Sequence, residues 1–179
     1  MKKISLVFAL ALMSSAAFSE HHNHGKGLGA HSHGSIELDI AVEGKVIEVE
    51  IDGPSESFLG FEYKPVTDKE KKSFSEAEAL WTKELLTKLF VLDKKLGCTT
   101  SEIKFEQELE DHDKNEKKEA GVHSDIEAKA KITCMQELKG ETLTVNVKKH
   151  YPKIKKLTID LVATETKKIE ASNSQEIKL

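Results

Sequence analysis

Five of the eight histidines fall within fifteen residues, 20–34: His21, His22, His24, His31 and His33, spaced by glycines. Neutral imidazole is the commonest protein ligand for zinc and related divalent metals near pH 7, and glycines between the rings let several of them turn toward one ion. The chemistry on offer is metal capture. His31 and His33 make the sharpest pair: two apart in an extended chain, they point to one side about 6.6–7 Å apart, close enough to share a tetrahedral ion with two further ligands. A solvated glycine-rich tail is the bland alternative, but five clustered histidines exceed what average composition supplies. His112 and His123 bracket a second stretch with Asp111, Asp113, Glu116, Glu119 and Asp125, a mixture of nitrogen and oxygen donors suited to zinc. Lys114, Lys117 and Lys118 partly cancel its charge, so a merely solvated loop accounts for that stretch almost as well.

Cys98 and Cys134 are the only cysteines, and in an oxidising compartment such a pair reads as a structural disulfide. With those thiols bridged and one methionine, Met135, beyond the leader, the soft ligand set of copper(I) carriers is missing. Catalysis has little support: the chain has no G-x-S-x-G, no H-E-x-x-H and no glycine-rich phosphate loop after a strand. The expectation is a protein that is not an enzyme.

The compartment follows from the first nineteen residues. Lys2-Lys3, the apolar run Ile4 to Leu12 and the small residues ending Ala17-Phe18-Ser19 read as a secretory signal, too short for a membrane span of about 20 apolar residues. Removal after Ser19 would leave Glu20-His21-His22, whose amine, backbone nitrogens and third-position imidazole form a square-planar set that prefers Cu(II) or Ni(II). Removal after Ala17 would abolish that set. The net charge is −4, and every basic residue is lysine, so bidentate phosphate clamps and nucleic-acid binding are not expected.

The elements that must hold these residues begin at the arm. Ser35 to Val42 alternates Ile36, Leu38, Ile40 and Val42 against polar positions, and Lys45 to Ile51 repeats the alternation. With Glu43-Gly44 as the turn, Ile40 opposes Ile47, Leu38 opposes Val49 and Ile36 opposes Ile51, closing one apolar face. On the other face Glu37 then opposes Glu50, and Asp39 opposes Glu48. Such like-charge pairs need an offset, either lysines on a neighbouring strand (Lys104, Lys129, Lys131) or a bound cation. Thr67 to Glu70 reads as a capping box opening a helix, with Phe74, Ala77, Trp81, Leu85 and Leu89 as its core stripe, running to about Lys88. Thr99 to Leu109 and Ile126 to Cys134 read as a second hairpin around the polar loop. Their parities do not make the cysteines direct partners, so a bulge or a diagonal bond is needed. Thr142 to Val147 and Lys156 to Val162 read as two more strands, joined through His150, a surface or packing histidine. The tail adds at most a weak edge strand.

Taken in order, Ala30-His-Ser-His-Gly34, Gly60-Phe61-Glu62, Cys98, and Gly121 to Cys134 with its His123-Ser124-Asp125 resemble ZrgA-like periplasmic zinc-binding proteins over nearly the whole chain beyond the leader. That resemblance implies a periplasmic protein of Gram-negative bacteria, produced under zinc limitation, that binds several zinc ions and assists a high-affinity zinc ABC importer. By position, His31 and His33 match the family's H-x-H-G, His123 matches the histidine of its H-S-D, and His112 lies in its histidine-rich loop. Two departures matter: lysines replace most loop histidines, and Tyr63 stands where relatives often have a histidine.

The expected organisation is a signal peptide (1–19), a histidine-rich metal-binding arm (20–34) and a single α+β domain (35–179) with a polar loop (110–125). The domain is expected to be an antiparallel sheet of hairpins packed against one main helix, with a single disulfide. The expected function is periplasmic capture of Zn(II) by His21, His22, His24, His31, His33, His112, His123 and Asp113 in support of zinc import. The partner would be the periplasmic binding protein of a zinc ABC transporter, and the protein a monomer without membrane insertion. The alternatives are a Cu(II) or Ni(II) buffer, or an exported interaction domain with incidental histidines.

Overall fold

A computed structural model of the chain describes residues 34–109 and 123–179. The expected leader, the arm as far as His33 and the tip of the polar loop lie outside these residues.

The chain enters through β1 (Ser35–Glu43) and β2 (Val46–Pro54), an antiparallel hairpin whose two-residue turn is Gly44-Lys45. Gly44 at φ +56° supplies the positive dihedral that such a turn needs at its first position. The turn is therefore one residue later than expected, and the register moves by two. Ile40 opposes Val49, Leu38 opposes Ile51, and Ile47 opposes Val42. A shift of two keeps every side chain on its face, so the apolar face still closes.

A short helix α1 (Ser55–Phe58) leads to α2 (Asp68–Thr82). The capping box is present: the Thr67 hydroxyl accepts from Glu70 N, and the Glu70 carboxylate accepts from Thr67 N at 2.8 Å and Val66 N at 2.9 Å. These donors and the Tyr63 hydroxyl hold the Glu70 carboxyl down at about 2. The α-helix stops at Thr82, short of the expected Lys88, and the chain continues as a wider π-type turn, Leu85–Leu89. The apolar stripe survives the change, since Trp81, Leu85 and Leu89 are all buried.

After β3 (Phe90–Val91) and a 3₁₀ turn (Lys94–Leu96) come β4 (Thr99–Leu109) and β5 (Ser124–Thr133), the second hairpin. Its register jumps between Ser101 and Lys104, where Glu102 adopts φ +51°. That bulge brings Cys98 opposite Cys134, and the two form a disulfide. The chain ends with β6 (Thr142–Val145), α3 (Val147–His150), β7 (Lys156–Val162), β8 (Thr166–Glu170) and β9 (Gln175–Lys178).

The described residues form a six-stranded sheet, β4-β5-β2-β1-β7-β8, and a three-stranded sheet, β3-β6-β9. An all-antiparallel sheet of hairpins is therefore not what forms, because β1 and β7 run parallel, with Ile36 beside Leu157 and Ile40 beside Leu161. Parallel neighbours need a long connection, and nearly the whole chain between residues 43 and 156 supplies it. The tail contributes two strands, one to each sheet. The architecture is mostly β with a few helices and one disulfide.

The inner face of the large sheet (Ile36, Leu38, Ile40, Ile47, Val49, Ile51, Ile126, Ile132) joins Trp81, Phe90, Leu143 and Ile177 in one contiguous core. Helix α2 reaches it through Ala77 and Trp81, and Phe74 meets Phe105 of β4 edge-on at 5.6 Å. On the outer face two of the three lysines expected to offset the carboxylates of β1 and β2, Lys129 and Lys131, do so, whereas Lys104 pairs with Glu106 and Glu127 and Lys168 takes an unexpected part. Lys129 reaches Glu50 at 2.9 Å and Lys131 reaches Glu48 at 3.2 Å, while Lys168 bridges Glu37 and Asp160. The carboxylate face is thus a lysine-paired ladder.

Candidate metal centre

The strand registers decide where the histidine-bearing segments leave the core. Ser35 pairs with Lys156, Pro54 with Asp125, and Leu109 with Ser124. The start of β1, the end of β2, the start of β5, the end of β4 and the start of β7 therefore share one end of the large sheet. Gly34, the last residue of the arm before β1, and His123, the last before β5, both stand there. Between β1 and β5 lies only β2, so their ends are roughly 10 Å apart at the backbone. The carbonyl of Gly34 accepts from Lys155 N at 2.8 Å and Lys156 N at 2.9 Å, which fixes the direction in which the chain enters β1.

Of the expected metal residues, His123 is the one whose surroundings are described; His21, His22, His24, His31, His33, His112 and Asp113 lie outside the described residues. The His123 ring is half exposed, with Nδ1 2.6 Å from Oε2 of Glu62, a carboxylate only 17% exposed. An ionised carboxylate can only accept, so Nδ1 carries the proton of this bond.

Both partners are held from behind. The hydroxyl of Ser124, the residue after His123, donates to the carbonyl of Glu62 at 2.8 Å. That spends its single proton, so it accepts from the Gln107 amide at 2.8 Å and from the Ser55 hydroxyl at 2.9 Å. Gln107 also donates to the carbonyl of Tyr63 at 3.1 Å. Ser55 and Ser124 are fully buried. The segment Glu62-Tyr63 is therefore pinned to the β4–β5 hairpin by its own backbone, independently of the Glu62 side chain. Gly60, at φ +93°, turns the chain into this segment. Tyr63 donates its hydroxyl to Glu70 at 2.9 Å, and that bond raises its pKa.

Glu62, Ser124, Gln107 and Ser55 were not among the residues expected to serve a metal. The signals that touch them are Gly60-Phe61-Glu62 and His123-Ser124-Asp125. Nothing in their spacing says that the two sit together, because 61 residues separate Glu62 from His123. His150, in α3, is half-buried; burial and the neighbouring Lys149 and Lys88 push its pKa down, consistent with a packing histidine. Among the described residues no three His, Cys, Asp or Glu side chains converge at metal-binding spacing. No helix among them is long and apolar enough to cross a membrane.

A family model described as ZrgA family zinc uptake protein matches residues 30–178, which span Gly34, the Glu62–His123 pair and both cysteines. No curated protein matches the chain.

Proposed function

Because this chain belongs to the ZrgA family of zinc uptake proteins, we propose that it captures Zn(II) in the periplasm and supports high-affinity import by passing the ion to the periplasmic binding protein of a zinc ABC transporter. The observation that carries this reading is the meeting of Gly34, Leu109 and His123 at one end of the large sheet. The donors are then His123 immediately before β5, His31 and His33 next before Gly34 in sequence, His112 and Asp113 of the polar loop, and His21, His22 and His24 of the arm. The protein binds and releases without catalysing a reaction. Neutral imidazoles and carboxylates give affinity near pH 7, and affinity falls as the imidazoles protonate.

Calorimetric titration of the chain from Glu20 with Zn(II), beside a truncation beginning at Ser35, tests this. The longer chain should bind more than one ion tightly, and the truncation should lose much of that capacity. Unchanged binding by the truncation removes the arm as a site. Preference for Cu(II) over Zn(II), dependent on the amino terminus, would favour the copper or nickel buffer.

A further inference from the structure

We propose that Glu62 is a positioning residue for zinc capture: by holding the Nδ1 proton of His123 it fixes the tautomer in which Nε2 is the nitrogen presented to the metal. This rests on the reading of His123 as a zinc ligand. Metal-binding histidines commonly donate their second ring N–H to a carboxylate, which sets the ring's orientation and raises its basicity as a ligand. The 2.6 Å Nδ1–Oε2 contact has that form.

Three features set the pair apart from an ordinary surface ion pair, in which two long side chains wander in solvent. Glu62 is largely buried. Its backbone is anchored through Ser124, so the carboxylate swings from a fixed point. The same Ser124 is covalently next to His123, so one buried hydroxyl sets the positions of both partners. The staple between residues 62 and 124 uses the Glu62 carbonyl and survives without the carboxylate, whose contact with the imidazole can therefore be removed without cutting it. A ring held this way needs no reorientation when an ion arrives, and metal affinity rises accordingly.

The test uses the full chain and its Glu62→Gln, Glu62→Ala, His123→Ala and Glu62→Ala/His123→Ala variants. Zn(II) affinity is read by competition with a chromophoric chelator, and the His123 ring nitrogens by long-range proton–nitrogen NMR in metal-free protein. In the parent, Nδ1 should carry the proton. Glu62→Ala should lose that bias and weaken zinc binding at the His123 site by about 10–100-fold. Glu62→Gln, similar in size and still offering an oxygen acceptor, should fall between. Added to His123→Ala, the Glu62 change should cost nothing further. Full affinity in Glu62→Ala, with His123→Ala impaired, overturns the positioning role and leaves His123 a ligand; so does a Glu62 effect that persists without His123. If His123→Ala binds as the parent does, the assignment of His123 itself fails, and the role of Glu62 with it.

Discussion

Glu127 is the carboxylate around which the outer face of the large sheet is balanced. Lys104 and Lys129 both bond it, and Lys129 also reaches Glu50, so two acids and two bases tie β4, β5 and β2 together. The hydrogen bonds from Lys104 and then Lys129 hold the Glu127 carboxyl at about 2, below its ordinary 4.5. A carboxyl depressed in the folded state stabilises the fold above its unfolded value, and that contribution disappears as pH falls from about 4.5 through about 2. Glu70, also held at about 2, titrates across the same window. Glu127→Gln should lower stability at pH 7 by about 1–2 kcal/mol, between the values typical of exposed and buried pairs. It should also flatten the acid limb of a urea-melt series between pH 5 and 2. A variant whose stability falls as steeply as the parent's across that range would show that Glu127 is not the group responsible. The ladder also accounts for the direct opposition of Asp39 to Glu50 and of Glu37 to Asp52, since each pair has a lysine within reach.

The β4–β5 hairpin is closed at its base by the Cys98–Cys134 disulfide, whose cysteines are 36 positions apart in sequence. In the chain-entropy account, a loop of that length restricts the unfolded ensemble by about 4 kcal/mol. Cys98→Ala/Cys134→Ala should therefore lose about that much in a thermal or urea melt, and reductant should bring the parent down to the same level. Identical melts with and without reductant would remove the bond from the stability of the domain. The strands of this hairpin were readable from alternation alone, Thr99–Leu109 to the residue. So was the need for a bulge, since the parities of the two strands could not otherwise bring the cysteines together. The β1–β2 register was less readable. Period-two alternation is unchanged by a slip of two, so Ile40 opposite Ile47 and Ile40 opposite Val49 satisfy the same hydrophobic face, and only the dihedral demanded of Gly44 chooses between them. Alternation also says which face a strand buries and nothing about its neighbour, which is why the parallel β1–β7 pair escaped the sequence. The Glu62–His123 contact escaped for a related reason: tertiary structure brings those residues together, and no local period marks it.

At the scale of the whole molecule, the histidine segments differ in their mechanical attachment to the core. His123 sits directly on β5, whereas the arm reaches the core through Gly34. A ligand that binds only the folded state stabilises it by an amount that grows with the logarithm of ligand concentration over Kd, about 2.7 kcal/mol at one hundred times Kd. If His123 takes part in zinc binding, Zn(II) should raise the melting temperature of the domain, and chelator should reverse the rise. Zinc held by residues 20–33 alone would leave the melt where it was. A calorimetric scan with and without metal separates the two.

The parallel pairing of β1 with β7 sets the order in which this protein becomes whole. The strand that carries the arm lies inside the sheet, between β2 and β7, and its second neighbour begins only at Lys156. A chain emerging amino end first therefore presents the histidine arm early and completes the sheet that anchors it late. Until β7 (Lys156–Val162) has followed, β1 has one edge exposed to any passing strand. A fragment cut short before Lys156 would carry the arm on a strand that lacks its second neighbour, so the arm's anchorage is completed only when β7 arrives.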